Sequence, residues 1–342
     1  PLAAGGKKLV FILQRCSPLP PGLAEQVRGL PGVEHFWVSA PVYYVRKGDS
    51  LFAGAAEMIA YAEAQGCSLG RAALDYEAQL LGLSREEALK EMTRRFGIMQ
   101  ESVAAGLDKK QVNMQLLAPT AGKIFKAEAE GKLAVGGLHT RAAARAAAVM
   151  HINNSMGIVC AAPTGGSAGV IPGVIVTLVE EKKLSAEQTA LALFAASAVG
   201  LIVARRATFA AEVAGCQVEI GAAGAMAAAA VVEIAAGSAA QAADAAAIAF
   251  QDTMGSVCDL VQGMCEIPCH TRNAVAASSA FVRADLILGG YVNPIPLDET
   301  IDAVYAVGKM LPAELRCTAL GGLAVTPSAQ EMSLRECGAG SL

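Results

Sequence analysis

The chain has few aromatic residues and little charge. Aromatics make up 5% of 342 residues, with a single Trp, and charged residues 17%. Lys and Arg number 27 against 31 acids, for a net charge of −4, and the basic residues are scattered. No basic stripe of the kind that tracks a phosphate backbone is present, so nucleic acid is set aside as a partner. An apolar run of about 20 residues, enough to cross a bilayer, is also missing. The best candidate, residues 189–204, is stopped by Gln188 and Arg205, and Gly, Pro or Glu233 interrupts the other apolar stretches. Buried helices are therefore expected rather than membrane spans. No signal peptide is read at the start, Pro1-Leu2-Ala3-Ala4-Gly5-Gly6, which reads as a processed end. The nine cysteines are odd in number and irregularly spaced. That argues against a secreted disulfide framework and for a reducing compartment, by default the cytoplasm.

What the chain does have is alanine, glycine and helical periodicity. Hydrophobic residues reach 54%, ample for a core without disulfide or metal staples. Residues 8–12 and 34–45 carry β-branched and aromatic runs separated by prolines. Residues 1–50 thus read as a small N-terminal appendage, extended or α/β. From Leu51 the period becomes helical. Helices are expected at 55–65, 68–81, 140–153, 185–204, 222–235, 238–251, 273–288, 298–307 and 312–320. Another opens on a capping box, Ser84 with Glu87, and runs to about Leu107. Residues 109–137, with several glycines and Pro119, read as a connection holding at most a short helix. Within it, residues 118–123 superficially resemble a phosphate loop but lack its first Gly, and Ile124 stands where a magnesium-binding hydroxyl is required. The expected architecture is an all-α catalytic domain over 51–327, an Ala/Gly-rich helical bundle, followed by a mobile tail at 328–342.

Chemistry concentrates in one stretch, Cys258 to Asn273, which holds three thiols, an Arg, a His and two acids in sixteen positions. Cys216 precedes Cys258 by 42 positions and Cys269 follows it by 11, with Cys265 between. Thiolate sulfur suits zinc or an iron-sulfur cluster. Free Cys also packs as a small hydrophobe, the reading given to Cys67, Cys160 and Cys317. By spacing alone Cys258 and Cys269 fit either role, since zinc sites favour tighter pairs. The loop Pro163-Thr164-Gly165-Gly166-Ser167-Ala168-Gly169 offers hydroxyls and open backbone amides ahead of a helix, a cradle for a carboxylate or else a tight helix crossing.

These motifs carry a resemblance. Cys258-Asp259 followed by Glu266-Ile267-Pro268-Cys269-His270-Thr271-Arg272-Asn273 and preceded by residues 211–221 is similar to the iron-sulfur-dependent L-serine dehydratase family, α chain or α domain. Asn154-Ser155-Met156-Gly157, the 162–169 loop and residues 318–327 agree in order and spacing. The resemblance implies an all-α catalytic domain that converts L-serine to pyruvate and ammonia without pyridoxal phosphate. It implies a [4Fe-4S] cluster held by Cys216, Cys258 and Cys269, with its fourth iron open to substrate. Cys337 is a candidate resting fourth ligand, and Cys265 reads as a neighbouring thiol before a ligand. Asn154, Ser155, Met156, Thr164, Gly165, Gly166 and Ser167 are the expected amino-acid substrate contacts. Arg272 and Asn273 follow a ligand, so they either face the sulfurs or substrate, or, for Asn273, cap a helix. Glu212 and Glu219 flank Cys216 and are candidates to steer the amino group, or surface and capping residues.

Of His35, His139, His151 and His270, only His270 stands close enough to be a candidate base. In two-domain members the resemblance places the proton-abstracting His on a β-type domain, so the chain is expected to act alone or with a separate β-type chain, as a homo- or hetero-oligomer. Two other readings stay open. One is an L-cysteine desulfidase or related iron-sulfur β-eliminating lyase, suggested by the seven-residue step from Cys258 to Cys265. The other is a non-catalytic helical protein with a structural zinc.

Overall fold

A computed structural model describes residues 2–4, 8–10, 20–33, 36, 46–108 and 112–334. It divides into two units, Pro1–Val45 and Arg46–Leu342. In the first, β1 (Leu2–Ala4) pairs antiparallel with β2 (Lys8–Val10), matching Leu2 to Val10 and Ala4 to Lys8. The strand expected at 8–12 is seen over its first three residues. An unexpected short helix, α1 (Leu23–Arg28), sits between the proline-rich stretches, with Glu25 in its first turn and Arg28 in its last as the helix dipole favours. The strand expected over 34–45 lies almost wholly outside the described residues, as do His35 and Cys337.

The second unit is helical, as the periodicity predicts. Its helices are α2 (Ala55–Ala64), α3 (Leu69–Leu81), α4 (Arg85–Leu107), α5 (Ala121–Ala129), α6 (Leu138–Asn154), α7 (Val170–Lys182), α8 (Ala186–Arg206), α9 (Ala211–Ala214), α10 (Ile220–Ile234), α11 (Ala239–Thr253), α12 (Cys269–Leu288), α13 (Leu297–Met310) and α14 (Pro327–Gln330). The Ser84 and Glu87 capping box opens α4, and Ser185 with Gln188 and Ser238 with Gln241 open α8 and α11 in the same way. In each, the Ser hydroxyl accepts from the third backbone N–H and the longer side chain reaches back, satisfying two otherwise orphaned donors.

Helix α10 is the centre of the bundle. It packs against α7, α8, α11 and α12, and every residue from Ile220 to Val232 is buried. Seven of those thirteen are Ala, and a helix coated with single methyl groups lets its neighbours approach closely on every side. Helix α6 forms a second hub against α4, α5, α7 and α12. Two apolar segments, Ala186–Arg206 and Cys216–Ile234, are long enough by composition to cross a membrane, but 67% and 83% of their best windows are buried within the fold. Burial of this kind is what core helices show.

Two expectations need correction. Residues 312–320 do not form a helix. A 3₁₀ turn at Ala313–Leu315 leads into a strand, β4 (Arg316–Thr318), which lies parallel to β3 (Cys258–Asp259). Long-range pairing of so few residues overrides a weak local helical preference. Helix α12 begins at Cys269, four residues before the expected start, so Asn273 is an interior residue and not a cap.

The close packing makes a contrasting pair of predictions. A Cβ at Gly106 would overlap the Ala148 carbonyl where α4 crosses α6, whereas one at Gly97 on α4 would meet nothing within 4 Å. Gly106→Ala is expected to destabilise by about 1–3 kcal/mol, as overpacking does. Gly97→Ala should stabilise by up to about 1 kcal/mol through helix propensity. Chemical denaturation of the two variants beside the parent checks both signs.

Candidate metal centre

The three candidate thiols lie on three chain segments. Cys216 follows α9 through Gly215, whose left-handed φ of 75° and packing against the Ser256 carbonyl exclude a side chain. Cys258 lies on β3, and Cys269 is the first residue of α12, directly after the cis Ile267–Pro268 bond. All three are buried, none more than 2% exposed. Cys216 Sγ, Cys258 Sγ and a carboxylate oxygen of Glu219 lie within 4.8 Å of one another, a set able to hold a metal ion.

Two further thiols join them. Cys265, half-buried, contacts the Cys269 thiol. Cys317 contacts the Cys258 thiol. The expectation that Cys317 is merely a packing residue is therefore corrected. It sits on β4 between Arg316, which pairs with Cys258, and Thr318, which pairs with Asp259. Spacing offered no hint of this, because the signal is a two-strand pairing between distant segments. Cys67 and Cys160 are half-buried, and burial raises both thiols, as for ordinary packed cysteines.

Arg272 anchors the sulfurs. Its Nη1 donates to Cys216 Sγ at 3.4 Å and to the Val257 carbonyl at 2.8 Å, and its Nη2 donates to Asp259 Oδ1 at 2.9 Å. Asp259, 2% exposed, accepts a second bond at Oδ2 from the Leu323 N–H at 2.8 Å. The Cys216–Cys258 hydrogen bond lowers the Cys216 pKa, and the Arg272 charge adds to the effect. The same bond, with burial, raises Cys258. Cys216 is thus the readiest of these thiols to act as a thiolate.

A second group of residues fastens the turn before Cys269. Glu266 is fully buried and accepts three backbone N–H bonds, from Gln115 at 2.5 Å, Leu116 at 2.9 Å and Leu117 at 2.7 Å. Sequence reading gave this residue no role. Asn154 Nδ2 donates to the Cys265 carbonyl at 2.7 Å and lies 2.9 Å from His270 Nε2. As the acceptor of that bond, Nε2 carries no proton, so the neutral ring holds its proton on Nδ1. Burial, helped by neighbouring His151 at a ring-centroid distance of 5.3 Å, lowers the His270 pKa to about 3. His151 Nδ1 lies 3.4 Å from the Gly106 carbonyl. Ser155 Oγ donates to the His151 carbonyl and accepts from the Asn113 N–H, each at 2.7 Å, while Met156 is 92% exposed at a φ of 60°. His139 is exposed, stacked edge-on against Phe281.

The 163–169 loop closes the arrangement. Gly165–Ser167 form a 3₁₀ turn, and Thr164 Oγ1 donates to Glu219 Oε1 at 2.5 Å and lies 3.0 Å from Ser167 Oγ. Asn273 ties this loop to α12, donating from Nδ2 to the Gly166 and Cys269 carbonyls at 2.8 and 2.9 Å and accepting at Oδ1 from the Gly169 N–H at 3.0 Å. Burial raises the Glu219 pKa, partly offset by the bond from Thr164. Glu212, by contrast, is exposed.

The sequence model of the family described as "Serine dehydratase alpha chain" matches residues 62–324. A probable L-serine dehydratase alpha chain from Bacillus subtilis (strain 168) is 40% identical over 256 residues, covering 75% of this chain and 85% of that protein. A probable L-serine dehydratase alpha chain from Latilactobacillus sakei is 45% identical over 183 residues, 54% and 88% of the two chains. An L-serine dehydratase alpha chain from Peptoniphilus asaccharolyticus is 33% identical over 279 residues, 81% and 96% of the two.

Glu266→Ala is expected to cost about 3 kcal/mol or more, because three backbone donors lose a charged acceptor. Hydrogen exchange should quicken at the amides of Gln115, Leu116 and Leu117 well before global unfolding; unchanged protection there would show that another group holds the turn.

Proposed function

This chain belongs to the serine dehydratase alpha chain family, and on that premise we propose that it catalyses the deamination of L-serine to pyruvate and ammonia with an iron-sulfur cofactor. The observation that carries the reading is the approach of buried Cys216 and Cys258 to within 4.8 Å, with an Arg272 N–H aimed at the Cys216 sulfur and buried Cys269 three residues before Arg272. Three soft donors on three fixed segments suit a [4Fe-4S] cluster, and an N–H bond to a ligand sulfur is a usual way to tune one. When bound, such a cluster supplies an iron with an open position, a Lewis acid for the poor leaving group, the β-hydroxyl. No pyridoxal phosphate is required by this chemistry.

The chain's own residues set the geometry. The Thr164–Ser167 loop, braced by its own hydroxyls, offers the backbone N–H groups of Gly165 and Gly166 to the substrate carboxylate, with Asn154 and Ser155 at the adjoining end of α6. Arg272 and Asn273 act on the site indirectly, since their polar atoms are engaged with Cys216, Asp259 and the loop backbone. Met156 lies on the rim. Loss of the Cα proton and of the β-hydroxyl gives an enamine, which tautomerises to the imine and is hydrolysed to pyruvate and ammonium. The nitrogen of His270 that accepts protons is already engaged by Asn154. Its proposed part is to orient that amide, and proton abstraction is assigned to a β-type partner chain, in keeping with relatives named as alpha chains. Cys265 and Cys337 are held as candidate resting ligands to the fourth iron. Free thiols throughout the described residues accord with a cytoplasmic enzyme.

The contact of Cys265 with Cys269 favours a second reading, a lyase of the same cofactor class acting on L-cysteine. Sulfide release from cysteine with no pyruvate from serine would select it. The Cys216, Glu219 and Cys258 set would also accept a single zinc, and one equivalent of zinc with no acid-labile sulfide would identify that case.

Cys216→Ala, Cys258→Ala and Cys269→Ala are each expected to abolish iron and sulfide retention after anaerobic reconstitution, and Cys67→Ala to leave it intact. Equal iron in all four variants would refute the ligand assignment. Prolonged exposure to air with a chelator should abolish pyruvate formation.

A further inference from the structure

Glu219 is the only carboxylate of the described residues placed within 4.8 Å of both Cys216 and Cys258 sulfurs. One of its oxygens accepts from Thr164 at 2.5 Å, and this is its sole hydrogen bond among the described residues. No Lys or Arg among the described residues forms an ion pair with it. The Arg272 guanidinium, which reaches the Cys216 sulfur, is spent on Asp259, the Val257 carbonyl and Cys216. Gly166 packs against the Glu219 carboxyl so closely that a Cβ there would overlap it. The carboxylate therefore stands between the sulfurs and the loop assigned to the substrate carboxylate. Its position is electrostatically awkward, because a half-buried anion beside thiolates is costly without a countercharge. The two buried carboxylates of the site have what Glu219 lacks: Asp259 has Arg272, and Glu266 has three N–H donors.

We propose that Glu219 is the specificity-determining residue that receives the α-ammonium group of the substrate, the missing countercharge being supplied by the ligand itself. This rests on the reading of the site as an amino-acid lyase. A zwitterionic amino acid matches the arrangement at both ends, with its carboxylate on the Thr164–Ser167 loop and its ammonium on Glu219. The β-hydroxyl is then directed toward the sulfurs. A 2-hydroxy acid of the same shape offers no positive charge, so Glu219 selects against it.

The test uses anaerobically reconstituted protein, wild type and Glu219→Gln, the latter nearly isosteric and without the negative charge. Iron and sulfide are counted, and binding of L-serine and of glycerate, in which hydroxyl replaces ammonium, is titrated through the visible and electron paramagnetic resonance spectra. Wild type should bind serine at least tenfold more tightly than glycerate. Glu219→Gln should keep its iron, bind serine about 10- to 100-fold more weakly, as loss of a charge-assisted hydrogen bond does, and bind glycerate as before. Glu219→Asp should fall between the two for serine.

Three results would overturn the assignment. Unchanged serine affinity in Glu219→Gln would remove the ammonium contact. Equal weakening of serine and glycerate would make Glu219 a support for the Thr164 loop only. Loss of iron would make it a metal ligand. A wild-type protein with full iron whose spectra ignore serine would instead bring down the reading of the site itself, and this assignment with it.

Discussion

The guanidinium of Arg272 is the joint on which the site depends. Its donors reach the Cys216 sulfur, the backbone beside Cys258 and the Asp259 carboxylate, and Arg272 itself lies three residues after Cys269. One planar fork thus ties together all three cysteine segments. A Lys, with a point charge and no fixed fork, would not hold three acceptors in this geometry. Asp259 extends the link to the Leu323 N–H, drawing the 316–325 segment and with it Cys317 against β3. Thiols with no metal between them are ordinarily free to drift into whatever packing suits the core. Here their segments are fixed by hydrogen bonds that do not require the metal.

Around this joint the helical bundle provides rigidity. The Ala-coated surface of α10 brings α7, α8, α11 and α12 close, so the start of α10 beside Cys216 and the start of α12 at Cys269 are set by backbone packing. Asn273 then clips the 164–169 loop to α12 from inside the helix. The 164–169 loop and the three cysteines are consequently parts of one packed unit, the preorganisation the proposed elimination requires. The three carboxylates of the site are held differently, and that difference divides structural from functional acids. Glu266 and Asp259 are saturated with donors, while Glu219 is not.

Much of this was legible in the sequence, for identifiable reasons. Helices such as α4 and α11 announce themselves by capping residues and periodicity, which are local signals. The choice of Cys216, Cys258 and Cys269 does not follow from spacing, which fits packed thiols equally well; it follows from the resemblance to a known family. What escaped was long-range. The pairing of β3 with β4 is five residues in all, so Arg316 to Thr318 read as helix and Cys317 as filler. The early start of α12 leaves no trace in the sequence because Pro268 and Cys269 give no ordinary capping signal, whereas Asn273 has the side chain of a cap. Glu266 belongs to a motif, but no local signal shows its role, which lies in backbone amides 149 to 151 residues away.

The central claim is that three thiols of this chain hold a four-iron cluster with one iron left to the substrate. Mössbauer spectroscopy of anaerobically reconstituted, iron-57-labelled protein measures this directly. The account predicts four irons per chain, one of them with distinct parameters that shift when L-serine is added while the other three do not. Four equivalent irons indifferent to serine, or the absence of a cluster from protein that still converts serine to pyruvate, would contradict it.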